Sequence, residues 1–89
     1  MITSAQMRAA RALLGIDQAT LAKLSGVSLP TIQRMEASDG VVRGVVDTLT
    51  KVVEALEKAG IQLIADNAVS TSGGRGVRLR EPKMREPAK

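Results

Sequence analysis

The chain has no cysteine, no histidine and no aromatic residue among its 89 positions. Without cysteine, disulfides and thiolate metal sites are excluded. Without histidine, carboxylates are the only side-chain metal ligands left, and none stand at ligand spacing. The same two absences remove the commonest nucleophile–base pairs, and Ser, Lys and the carboxylates offer no such pair at readable spacing. No enzyme, cofactor or metal is therefore expected. The lack of Phe, Tyr and Trp leaves the core to Leu, Ile, Val, Ala and Met. No apolar run approaches the roughly 18–20 residues of a membrane span. The N-terminus has no signal-peptide apolar core, so a cytoplasmic chain with no membrane partner is expected. The glycine-rich run Ser72–Gly76 lacks the Gly-Lys-Ser/Thr ending of a phosphate loop and does not lead into a helix, so it reads as a hairpin loop.

What is there is a small, basic, single-domain chain with a formal net charge of +4. A chain this short buries only a modest share of its unfolded surface. The charge permits nucleic-acid binding, but it is unevenly spread. Residues 1–26 set Arg8, Arg11 and Lys23 against Asp17, and residues 27–44 balance Arg34 and Arg43 against Glu36 and Asp39. Residues 45–69 are net acidic, while residues 70–89 carry six basic residues against two glutamates. Most of the excess sits in the tail.

Gln18 to Glu36 organises the chain. Leu21, Ala22 and Leu24 recur at helical spacing behind Asp17, a good N-cap. Gly26 supplies the left-handed residue at which a helix commonly ends. Ser28 caps a second helix, with Pro30 in its first turn, where the missing N–H costs no intrahelical bond. Ile32, Met35 and Glu36 share one face of that helix, while Leu29, Pro30, Gln33 and Arg34 lie on or near the other. Two helices, a short turn and a small residue at the crossing make a helix-turn-helix.

Either side of it, the pattern continues. Thr3 or Ser4 caps a first helix ending at Leu14–Gly15, with Met7, Ala10, Leu13 and Leu14 as its expected buried stripe. Residues 37–44 read as a loop, and 45–59 as the longest helix, with Val46, Leu49, Val52, Val53 and Leu56 inward and Gly60 as its cap. Residues 61–66 and 77–80 alternate like short strands, forming either a hairpin in one chain or a sheet completed across a dimer. Residues 81–89 have two prolines, many charges and little to bury, so a disordered basic tail is expected.

The central stretch resembles the phage repressor and Cro-like (XRE) helix-turn-helix family. The match is carried by Gln18, Leu21, Ala22, Gly26, Val27, Ile32 and Met35. The resemblance implies a mainly α, four-to-five-helix, lambda-repressor-like domain over residues 1–60. A β extension over 61–80, a possible dimerisation element, would follow. It also implies that Arg11 pairs with Glu36, and that the second helix enters the DNA major groove. The base readers would then be Ser28, Leu29, Pro30, Thr31, Gln33 and Arg34. Arg34 suits guanine and Gln33 suits adenine. Leu29 and Pro30 offer only apolar surface, a departure from the polar readers usual there. Gln18, Lys23 and Arg43 are the candidate phosphate contacts, each open to a plain surface role. Arg75, Arg78, Arg80, Lys83 and Arg85 stay open between a DNA-following arm, a charge-protected edge strand and a partner-binding tail.

The expected function is a sequence-specific DNA-binding transcription regulator, a repressor, acting as a homodimer on double-stranded DNA. The helix 45–59 and the strand 61–66 are the candidate interface. Two alternatives remain: the antitoxin of a toxin–antitoxin pair, with the toxin held by the C-terminal extension, and a protein-interaction adaptor.

Overall fold

The computed structural model describes residues 2–65 and 73–80. In order, the elements are α1 (Ser4–Leu14), α2 (Gln18–Ser25), α3 (Leu29–Ala37), α4 (Val46–Lys58), β1 (Ile61–Ile64) and β2 (Gly76–Leu79). The chain is mainly helical with a short antiparallel β extension, as the resemblance implies. The expected disordered tail (81–89), Asp66 of the expected strand and most of the loop between the strands lie outside the described residues. Among the described residues no helix is long and apolar enough to cross a membrane.

Local chemistry sets the helix boundaries. Thr3 and Gln6 form a reciprocal capping box at the start of α1: the Gln6 N–H donates to Thr3 Oγ1 at 3.0 Å, and the Thr3 N–H donates to Gln6 Oε1 at 2.9 Å. Asp17 accepts from the Thr20 N–H at 2.8 Å to start α2. Gly26 ends α2 at φ +73°, a conformation that costs a residue with a Cβ roughly 1–2 kcal/mol. Ser28 accepts from the Thr31 N–H to open α3, with Pro30 in the first turn. The turn between α2 and α3 is residues 26–28.

One apolar cluster unites the elements. Met7, Ala10, Leu21, Ile32, Val52, Leu56 and Ile61 are all fully buried in it. Ile2 joins them because the segment before α1 pairs with the loop after α3: the Val42 N–H donates to the Ile2 carbonyl at 2.8 Å, and the Ser4 N–H to the Gly40 carbonyl at 3.0 Å. The strands form a hairpin within one chain, with Ile61 opposite Leu79 and Leu63 opposite Val77. That face packs inward, placing Ile61 in the same core as the helices.

Two expectations from periodicity fail at helix ends, those for Leu13 and Val46, and the periodic Leu24 is also left uncovered. Leu13 is 46% exposed, Leu24 56% and Val46 70%. Leu13 lies on the same side of α1 as Gln6 and Ala9, seven and four residues earlier. The hairpin is bonded to Gln6, but Ala9 is already exposed, and Leu13 lies a further turn along. Val46 is the first residue of α4, ahead of the turns that pack on the core. Ile64, an apolar residue on the outer side of β1, is half-buried, its Cδ1 lying 3.8 Å from where a side chain on Gly76 would start.

The hairpin also closes both ends of its helical neighbours. Gln6 Nε2 donates to the carbonyls of Ile64 (3.1 Å) and Gly76 (2.9 Å), so one side chain caps α1 and holds the hairpin. At the far end the Arg80 N–H donates to the Gly60 carbonyl at 2.7 Å, and its guanidinium to the Glu57 carbonyl at 2.9 Å. Positive charge on the last carbonyls of α4 is favourable to the helix dipole. Gly60 sits at φ +109°, and a Cβ there would meet Leu79 Cδ1 at 3.4 Å. Of the three readings left open for Arg80, the described contacts add a fourth: a helix cap.

Candidate nucleic-acid interface

The outer side of α3 carries the expected readers. Ser28, Pro30, Gln33 and Arg34 are exposed, and Leu29 and Thr31 are half-buried. Three of them form a line at i, i+3 and i+6. Ser28 Oγ donates to Thr31 Oγ1 at 2.9 Å, and Arg34 Nη2 donates to the same oxygen at 3.3 Å. The arginine is thus folded back over the N-terminal half of α3, toward the end that would enter a groove first. Three donors of this kind along one helix edge suit hydrogen-bond acceptors on base edges.

The inner side of α3 explains how that edge is aimed. Arg11 Nε donates to Glu36 Oε2 at 2.6 Å, and Arg11 Nη2 to Glu36 Oε1 at 2.7 Å, a bidentate pair. Gln18 Nε2 adds a bond to Glu36 Oε1 at 3.1 Å. Arg11 also donates to the Ile16 carbonyl, and Arg8 to the Glu36 carbonyl. Glu36 is buried, and one carboxylate so ties together α1, α2, α3 and the link between the first two. Burial pushes the Glu36 carboxyl up. The bonds from Arg11 and Gln18 and the charges of Arg11 and Arg8 outweigh it, leaving the group below its usual range. The Arg11 guanidinium is raised in turn, chiefly by its bond to Glu36. Asp17 is lowered by the Thr20 hydroxyl and N–H.

The expected phosphate contacts are placed less uniformly. Gln18 starts α2, but its side-chain amide is given to Glu36, which leaves the backbone N–H groups of that helix start as the phosphate donors there. Lys23 is exposed on α2. Arg43 is exposed in the α3–α4 loop and lines a groove with Thr31 and Arg34. Among the described residues no three carboxylates come together to hold a metal ion. Sequence reasoning missed the second roles of Gln6, Arg8 and Gln18. The Thr3-x-x-Gln6 spacing of a capping box was a readable signal for the first; nothing local marks the other two.

Two capped helices joined through Gly26, the second braced from behind and polar in front, make a DNA-binding module of the helix-turn-helix class. Residues 7–43 match the model of the family described as Helix-turn-helix. The match supports, for this segment, a DNA-binding helix-turn-helix of the phage repressor and Cro-like (XRE) kind, as found in transcription regulators. No curated protein matches the chain.

Proposed function

We propose that the protein is a transcription repressor that binds a short palindromic DNA sequence as a homodimer, with α3 in the major groove. The observation that carries this reading is the Ser28–Thr31–Arg34 line on the outer edge of α3, aimed by the buried Arg11–Glu36–Gln18 network. A major groove about 12 Å wide admits one helix. Arg34 then donates both guanidinium nitrogens to a guanine, exchanging its bond to Thr31 for bonds to the base. Gln33 takes adenine, and Leu29 and Pro30 contact thymine methyl groups. Arg43, Lys23 and the backbone N–H groups opening α2 hold phosphates. These set position and make binding salt-sensitive without reading sequence. A cytoplasmic location goes with this reading.

The test is selection of bound duplexes from a random pool at about 0.15 M ionic strength. One enriched palindrome, with half-sites about 10 base pairs apart centre to centre, is the expected result. Arg34→Ala should cost about 1–3 kcal/mol on that sequence and relax preference at one base pair, with unfolding unchanged. Arg43→Ala should weaken all sequences alike and lower the salt dependence. A pool that stays random overturns the reading.

A second reading, a protein-interaction adaptor such as an antitoxin holding its toxin, is favoured by one surface. Leu24 is exposed on an apolar groove that it lines with Leu14, Ile16, Ala55 and Ala59. A stable complex with a protein partner that Leu24→Lys abolishes, without DNA preference, would select it.

A further inference from the structure

Besides the groove at Leu24, the described residues expose a second apolar group. Val45 is 70% exposed and Val41 42%, both lining a groove between α3 and the start of α4, and Val46, next along the chain, is 70% exposed. We infer that this α3–α4 groove is where a second copy of the chain docks, related by a two-fold axis, with Val45 and Val46 seated against it. The inference rests on the homodimer reading above and says which surface forms the dimer.

Three observations carry it. The first is the start of α4. Val45 holds the N-cap position of a 13-residue helix and makes no side-chain cap bond. A Ser, Thr, Asp or Asn there would stabilise the isolated chain. Valine does so only if its apolar surface is covered, and among the described residues Val45 is left 70% exposed.

The second is self-complementarity, which a two-fold interface demands. The groove offers apolar floor from Met35 and Leu49, both buried, beside its protruding valines. It also carries both signs of charge, with Asp39 on its wall beside Arg43 and Asp47 next along α4, while Arg34 stays with the DNA. Each copy's acids can therefore meet the other's Arg43, beside the phosphate it holds.

The third is DNA geometry. Half-sites one helical turn apart are about 34 Å apart, so the dyad lies about 17 Å from each recognition helix. That is little more than one helix diameter, about 10–12 Å with side chains. The surface that meets at the dyad must flank α3 directly. Thr31, Arg34 and Met35 of α3 line this groove, whereas no residue of α3 lines the one beside Leu24.

The test uses the full chain in sedimentation velocity across a micromolar range, with far-UV circular dichroism as a check on folding. Val45→Asp supplies the missing cap oxygen, and Val46→Glu puts an acid at the favourable end of the helix dipole, so both keep the fold. Each also sets a carboxylate against its own copy across the two-fold. Wild type should sediment as a dimer, and both variants as monomers with native helix content and dimer dissociation weakened tenfold or more. Val45→Asp should still bind an isolated half-site like wild type. The inference is overturned if either variant remains a wild-type dimer, or if Leu24→Lys breaks the dimer while Val45→Asp does not. It is also overturned if the wild type is monomeric and fills a two-half-site duplex without cooperativity. A dimer lost in Val45→Asp, from a protein that selects no DNA sequence, would keep this surface and discard the repressor reading.

Discussion

The first three helices and the C-terminal part of the molecule are held together by different means. Helices α1, α2 and α3 converge on one buried carboxylate, Glu36, which takes bonds from two helices and whose backbone carbonyl takes another from Arg8. Helix α4 and the hairpin are joined through apolar packing of Val52, Leu56 and Ile61, and through backbone bonds at Gly60. The contrast follows from what each part has to do. A buried ion pair is weak evidence of net stability, because desolvation offsets its attraction, but it is directional. Apolar packing stabilises without fixing an angle so strictly. The network therefore sits where the angle between α2 and α3 decides which side chains reach DNA, and the apolar seam sits where the core needs only to be closed.

Removing one partner of the network is the strongest way to break this contrast. Glu36→Ala leaves Arg11 without its partner and should cost about 3–5 kcal/mol in urea unfolding. Glu54→Ala, on the exposed side of α4, should stay within about 0.5 kcal/mol. Equal losses would mean that the carboxylate does no more than a surface charge.

Acid should reach the same group. The folded Glu36 carboxyl is depressed, so in acid the unfolded chain takes up its proton first. Its contribution is complete above the unfolded value of about 4.3 and drains away as pH falls toward the folded one. The urea midpoint of wild type should drop more steeply on acidification than that of Glu36→Gln; parallel curves would assign the acid sensitivity to other carboxylates.

Among the described residues Gln6 links the two parts through hydrogen bonds, and Gln6→Glu separates its two roles. The glutamate still accepts the Thr3 N–H but faces the Ile64 and Gly76 carbonyls with no donor. A loss of about 1–3 kcal/mol is expected, with amide exchange accelerated in β2 ahead of α3. Uniform acceleration would show that the hairpin and helices open as one unit. The smallest effect belongs to Arg80→Ala, about 0.3–1 kcal/mol from the lost charge at the C-terminus of α4, and it should shrink in high salt.

Much of this was legible residue by residue. Thr3, Asp17 and Ser28 mark helix starts, and Gly15 and Gly26 mark ends, because capping is decided within four residues of chain. The contact of Arg11 with Glu36 was legible only through family resemblance, since 25 residues separate them and no periodicity links them. The Gln18 contact and the bonds of Gln6 to the hairpin were not legible at all, although the Thr3–Gln6 capping box was. Each amide is an ordinary polar residue until a distant partner arrives. Leu13, Leu24 and Val46 show the limit of periodicity: it says which face of a helix is apolar, but not how far along that face a neighbour reaches.

By itself, then, the sequence determined the helix boundaries, the turn at Gly26, the apolar faces and the set of residues fronting α3, because these depend on short-range sterics and hydrogen bonds. Only the tertiary structure decided that Glu36 gathers three helices, that the strands close into a hairpin on the helical core, and that Val45 and Val46 stay uncovered. Those outcomes depend on which surfaces meet across long stretches of chain, and burial is settled by the neighbours present, not by the residue's own preference.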